Sequence, residues 1–167
     1  YHALAMPSVC NLSAELAHLR WAGDVVFGGY GARIGVRFAD RRLGAELALR
    51  SSPGTRLAAP GRVDRMLSIF RRDGRYCIFG DEEMKCQPAL RADLLEAFDT
   101  HLRAGFAEYS RKKLFVHAGV VGWKGQAILF PGASRAGKST MIAELVKAGA
   151  TYFSDEFAVL DERGRVH

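Results

Sequence analysis

Apolar side chains recur every fourth residue in one stretch of this chain and every second residue in others, and the two spacings predict different elements. Leu90, Leu94, Phe98, Leu102 and Phe106 are four apart, which lines them up on one face of a helix. Pro88 stands just ahead, and the first turn of a helix tolerates a residue without an N–H, so a helix is expected over residues 88–109. Leu12, Leu16 and Leu19 behind Ser13 predict a shorter helix near the start. Ile34, Val36 and Phe38 alternate, predicting a strand over residues 32–38, with another over 25–27 in a glycine-punctuated stretch. A short helix over 40–49 and a loop over 51–61 follow. Residues 62–71 and 75–79 flank Arg72-Asp73-Gly74, and Asp-Gly is a hairpin turn signal. Leu67, Ile69, Tyr76 and Ile78 would form the buried face of that hairpin.

After residue 110 the spacing shortens and β-branched residues gather. Residues 114–121 and 126–130 read as strands joined by a turn over 122–125. A glycine-rich loop leads into a helix through Met141, Ile142, Leu145 and Val146, with Gly149 as its C′ cap. Strands at 151–154 and near 157–160 complete the chain. The expected class is α/β. One mixed sheet would carry both the glycine-loop helix and the 88–109 helix, with an α+β part over residues 1–110 ahead of a nucleotide-binding part over 111–167.

Composition changes this picture little. Of 167 residues, 49% are apolar and 25% charged, as in ordinary globular domains. No apolar run is long enough to span a bilayer and no signal peptide is recognisable, so a cytoplasmic location is the default expectation. Cys10, Cys77 and Cys86 show no metal-ligand spacing and read as reduced thiols, with Cys77 in the core. The net charge of +6 comes in short clusters, at Arg41-Arg42, Arg71-Arg72 with Arg75, and Arg111-Lys112-Lys113. Acidic residues interrupt them and no basic stripe alternates with aromatics, so the charge does not point to nucleic acid. The chain begins at Tyr1 rather than Met and ends soon after a strand-like segment, so it reads as a fragment or a trimmed chain.

One segment carries recognisable chemistry. Gly132-Ala133-Ser134-Arg135-Ala136-Gly137-Lys138-Ser139, followed by Thr140, matches G-x-x-x-x-G-K-[ST] without a gap. In such a P-loop, glycines let consecutive N–H groups converge on phosphate oxygens, and the helix N-terminus adds partial positive charge. Lys138 would reach the β- and γ-phosphates and Ser139 would ligate Mg²⁺, which implies a nucleoside triphosphate, ATP by default. A P-loop needs an acidic partner. Asp155 and Glu156 end the strand at 151–154, and Asp155 would emerge at the phosphate edge if that strand lies beside the one leading into the loop. His117, inside an apolar strand, reads from its own surroundings as a hydrogen-bonded core residue.

Three of these pieces in register, Val116-His117-Ala118, the P-loop, and residues 148–156 ending in Asp155-Glu156, resemble the catalytic domain of the HPr kinase/phosphorylase-like P-loop kinases, over about residues 114–160. The resemblance implies that Asp155 is the general base toward a serine hydroxyl, that Glu156 is its metal-assisting neighbour and that His117 lies near the phosphates. It also implies a protein or peptide substrate, and relatives of this kind form homo-oligomers. The sequence departs from the family's usual pattern in the loop residues Ala133, Arg135 and Ala136, at Glu156 and at Thr140. Residues 1–110 do not resemble the family's N-terminal domain. The readings are therefore a kinase with Asp155, Lys138 and His117 as site residues, an ATPase coupling hydrolysis to motion, or a nucleotide-binding regulatory module without transfer.

Overall fold

The computed structural model describes residues 16–52, 54–80, 83–133 and 136–167. The expectations for Leu12, Ser13, Cys10, Ser134 and Arg135 fall outside these residues. The chain divides between Tyr109 and Ser110 into two compact units. No helix among the described residues is long and apolar enough to cross a membrane.

The first unit is mixed α/β. Strands β1 (Gly23–Gly29), β2 (Ala32–Phe38), β3 (Thr55–Ala58), β4 (Arg65–Arg72), β5 (Arg75–Gly80) and β6 (Glu83–Cys86) form one sheet in the order β3-β1-β2-β4-β5-β6. The β2–β4 pair is parallel and the other pairs are antiparallel, so the sheet is mixed. Between β2 and β3, helix α1 (Arg41–Ala48) starts at Asp40, whose carboxylate accepts the N–H groups of Arg42 at 2.8 Å and Leu43 at 3.3 Å. That cap satisfies donors the first turn cannot satisfy itself.

Pleating puts Phe27, Ile34, Val36, Leu67, Ile69 and Ile78 on one face, all fully buried. Helix α2 (Arg91–Tyr109) covers this face with Leu94, Phe98, Leu102 and Phe106, the residues whose spacing predicts it. Phe27 and Phe98 meet with ring centroids 6.0 Å apart. Burying each such side chain stabilises the unit by about 1.5–3 kcal/mol. The opposite face is also buried: Leu16, whose helical conformation continues through residue 18, packs with Phe70, Cys77 and Phe79. The hairpin at Asp73-Gly74 forms as expected, with both turn residues at positive φ.

Three expectations differ here. Helix α2 starts after Pro88, whose carbonyl accepts the Tyr76 N–H at 3.0 Å, so Pro88 prolongs the extended chain beside β5. Leu90 is accordingly 65% exposed. The expected loop over 51–61 contains β3, and β6 forms where no strand is expected. Both are four-residue strands at the sheet edges, too short and too exposed to show a buried alternation.

The second unit holds β7 (Leu114–Val116), β8 (Ala118–Trp123), β9 (Gln126–Pro131), helix α3 (Lys138–Lys147), β10 (Thr151–Ser154) and β11 (Ala158–Leu160). The strand expected over 114–121 breaks at His117, because β7 pairs with β11 while β8 joins a different sheet of order β10-β8-β9. That sheet is antiparallel, so the expectation of one mixed sheet carrying both long helices is not met: α2 and α3 pack on different sheets. Ile142 seats α3 against Val121 and Ala150. Ala118 and Val120 face the other way, toward Ala158. Helix α3 ends in paired bonds, Gly149 N–H to Val146 O at 3.0 Å and Ala150 N–H to Leu145 O at 2.9 Å, the Schellman arrangement expected of a C′ glycine.

A Cβ at Gly119 would run into the Ile142 side chain. Gly119→Val is therefore expected to lower stability by about 1–3 kcal/mol, read as a lower urea midpoint. In the first unit, burial pushes the pKa of His101 below its ordinary 6.5, helped by the charges of Arg65 and Lys85. Below that pH the unfolded chain takes up a proton that the folded chain refuses, so stability falls as pH drops through 6.5 toward the folded value. His101→Gln should flatten this slope, as read from urea midpoints on either side of that pH.

Candidate functional site

Both β9 and β10 run antiparallel to β8, so they run in the same direction and end at the same edge of their sheet. The G-x-x-x-x-G-K-S segment leaves the end of β9, and Asp155 follows the end of β10. β8 begins at this edge too, since Ala118 pairs with Pro131. Three separated parts of the sequence, His117, the described loop residues 132–133 and 136–140, and Asp155-Glu156, therefore meet at one edge.

The loop hands over to α3 at Gly137, which has φ 83° and caps the helix without a side chain. The first intrahelical bond runs from Met141 N–H to Gly137 O at 3.0 Å, so the N–H groups of the first turn have no helical acceptors. Gly132 and Ala133 precede it, and Ala136 donates its N–H to Ala133 O at 3.2 Å. The Lys138 side chain curls back over the loop and donates to the carbonyls of Gly132 and Ala133, both at 2.7 Å. Thr140 is exposed on the first turn.

Ser139 Oγ lies 3.4 Å from Asp155 Oδ2 and donates to it. The serine opens a helix and the aspartate ends a strand, so tertiary structure alone makes this contact. Asp155 is held by a tight turn in which Ser154 Oγ accepts the N–H groups of Glu156 and Phe157, each at 3.2 Å. Tyr152, which the sequence reading passes over, donates its phenol to Asp155 Oδ1 at 3.1 Å. Its three-residue offset from Asp155 is the only signal the sequence offers. Burial, and after it this hydrogen bond, push the phenol's pKa above its ordinary value, so it stays protonated.

His117 lies at the break between β7 and β8, exposed rather than in the core as its apolar surroundings predict, with its ring edge-on to Phe157 at 5.7 Å. Phe157 immediately follows Asp155-Glu156, so His117 backs the acidic turn. Glu156 is half-buried and Asp155 exposed. Among the described residues, no group of three or more His, Cys, Asp or Glu converges as a metal site. The Ser139 hydroxyl and Asp155 carboxylate do offer neighbouring hard oxygen donors, the chemistry that Mg²⁺ takes when phosphates complete its shell. Set against protein-family models, curated proteins and solved structures, the chain has no significant match.

Because Gly137 sits in the left-handed region, Gly137→Ala should cost about 1–2 kcal/mol. The loss should appear as a lower urea midpoint.

Proposed function

We propose that residues 132–140 form a P-loop that binds ATP with Mg²⁺ and that the chain transfers the γ-phosphate to a serine-type hydroxyl of a protein or peptide. The observation that carries this reading is the approach of Ser139 to Asp155, 3.4 Å apart at the edge where the glycine loop meets a helix start with no side-chain cap. A phosphate-binding loop next to an exposed carboxylate brings together the two requirements of phosphoryl transfer, charge neutralisation and proton removal.

Each residue then has a role. The free N–H groups at the start of α3 face phosphate oxygens. Lys138 exchanges its two carbonyl partners for the β- and γ-phosphates. Ser139 and Asp155 would hold Mg²⁺, with Glu156 as the adjoining acid, and the ion would supply neutralisation of phosphate charge. Asp155 accepts the proton of the attacking hydroxyl, and His117 supports the turn that presents it. The resemblance to HPr-kinase-like enzymes assigns the same roles to Asp155 and Glu156 and implies that His117 lies near the phosphates.

Calorimetric titration with Mg-ATP tests the binding half. Lys138→Ala should weaken binding by at least about 10–100-fold. Asp155→Asn should retain binding and lose about 10²–10⁴-fold in transfer to a serine peptide. Full transfer by Asp155→Asn would sink the assignment of the base, and tight ATP binding without any transfer would leave a regulatory nucleotide module instead.

A further inference from the structure

Two hydroxyls donate to the Asp155 carboxylate, one to each oxygen: Ser139 Oγ to Oδ2 at 3.4 Å and Tyr152 Oη to Oδ1 at 3.1 Å. The Ser139 hydroxyl belongs to the loop side of the site. Tyr152 stands on β10, with 53% of its surface exposed. The third nearby hydroxyl, Ser154 Oγ, is turned to the N–H groups of Glu156 and Phe157. A general base must hold the acceptor hydroxyl by a hydrogen bond before transfer, and the phenol of Tyr152 already occupies that position on Asp155.

We propose that Tyr152 is an intramolecular phosphoryl acceptor, so that the chain with ATP on its loop phosphorylates its own Tyr152. This rests on the reading of Asp155 as the base. The phenolic oxygen attacks the γ-phosphorus, the bond from that phosphorus to the β–γ bridging oxygen breaks, and ADP leaves with the bridging oxygen. The phenolic proton passes to Asp155 Oδ1 and from there to water. The new phosphate carries roughly two negative charges at neutral pH, next to Asp155 and Glu156. Repulsion moves the ring off the carboxylate, and Oδ1 becomes available to an external hydroxyl after a single self-turnover.

The test uses the full chain with Mg²⁺ and γ-labelled ATP, followed by fragment-ion sequencing of the tryptic peptide between Lys147 and Arg163, which contains Thr151, Tyr152 and Ser154. About one phosphate per chain is expected, on Tyr152. The half-time should be unchanged over a roughly tenfold range of protein concentration, because acceptor and base share one chain. Tyr152→Phe, checked for an unchanged thermal midpoint, and Lys138→Ala should both remain unlabelled. Transfer to a serine peptide with Tyr152 unmodified would overturn this inference and leave the kinase reading standing. ATP binding without transfer to either acceptor would overturn both. Label on Thr151 or Ser154, or a half-time that shortens with protein concentration, would overturn the intramolecular assignment to Tyr152.

Discussion

The backbone hydrogen bonds of β8 have antiparallel partners on both sides, and the arrangement of the second unit depends on them. Two strands antiparallel to a common neighbour must point the same way. The segment after β9 and the segment after β10 therefore emerge together, at the edge where β8 starts. A one-residue slip would turn every side chain of β8 to the wrong face. That register is held on one side by Val121 against Ile142, and on the other by Ala118 and Val120 against Ala158. Gly119 lies between them and leaves the space in which Ile142, and with it the start of α3, comes close to the sheet.

Within this frame the polar groups sit where regular structure ends. Lys138 and Ser139 open α3, Asp155 follows β10, and His117 marks the break between β7 and β8. Loop positions are cheap to vary but hard to hold, and here each is tied to something rigid. Ser154 fixes the turn after β10 through two N–H groups, Tyr152 holds one oxygen of Asp155, and Phe157 packs on His117. The first unit is built differently. Its sheet is buried on both faces around the β4–β5 hairpin, and β4 itself carries buried Arg65 and Ser68.

Several of these features were readable in the sequence because they carry a local signal. Four-residue spacing marked α2, Asp73-Gly74 marked the hairpin, and Gly149 marked the end of α3. What lacked such a signal went unread. The edge strands β3 and β6 are short and half-solvated, so nothing alternates in them. Pro88 suits a helix start by its chemistry, yet its carbonyl is taken by Tyr76, a tertiary contact that sequence spacing does not encode. The break at His117 was hidden because apolar residues continue on both sides while the strand changes partners. At the site, the glycine loop and the acidic pair stood out as residue types, and their meeting depended on strand order. Tyr152 was missed because a tyrosine in a short apolar strand looks like packing.

The curled side chain of Lys138 has a thermodynamic consequence. Its ammonium is an internal ligand of the loop, bound to the carbonyls of Gly132 and Ala133. An incoming anion recruits that cation only by competing it away, so the affinity measured from outside is a difference between two exchanges. A singly charged anion would gain little from that swap. A polyphosphate, as the proposed function requires, would bring several oxygens to satisfy one ammonium and the helix start together. On the proposed reading, the free loop would therefore act as a threshold that discriminates by charge density before any shape is read.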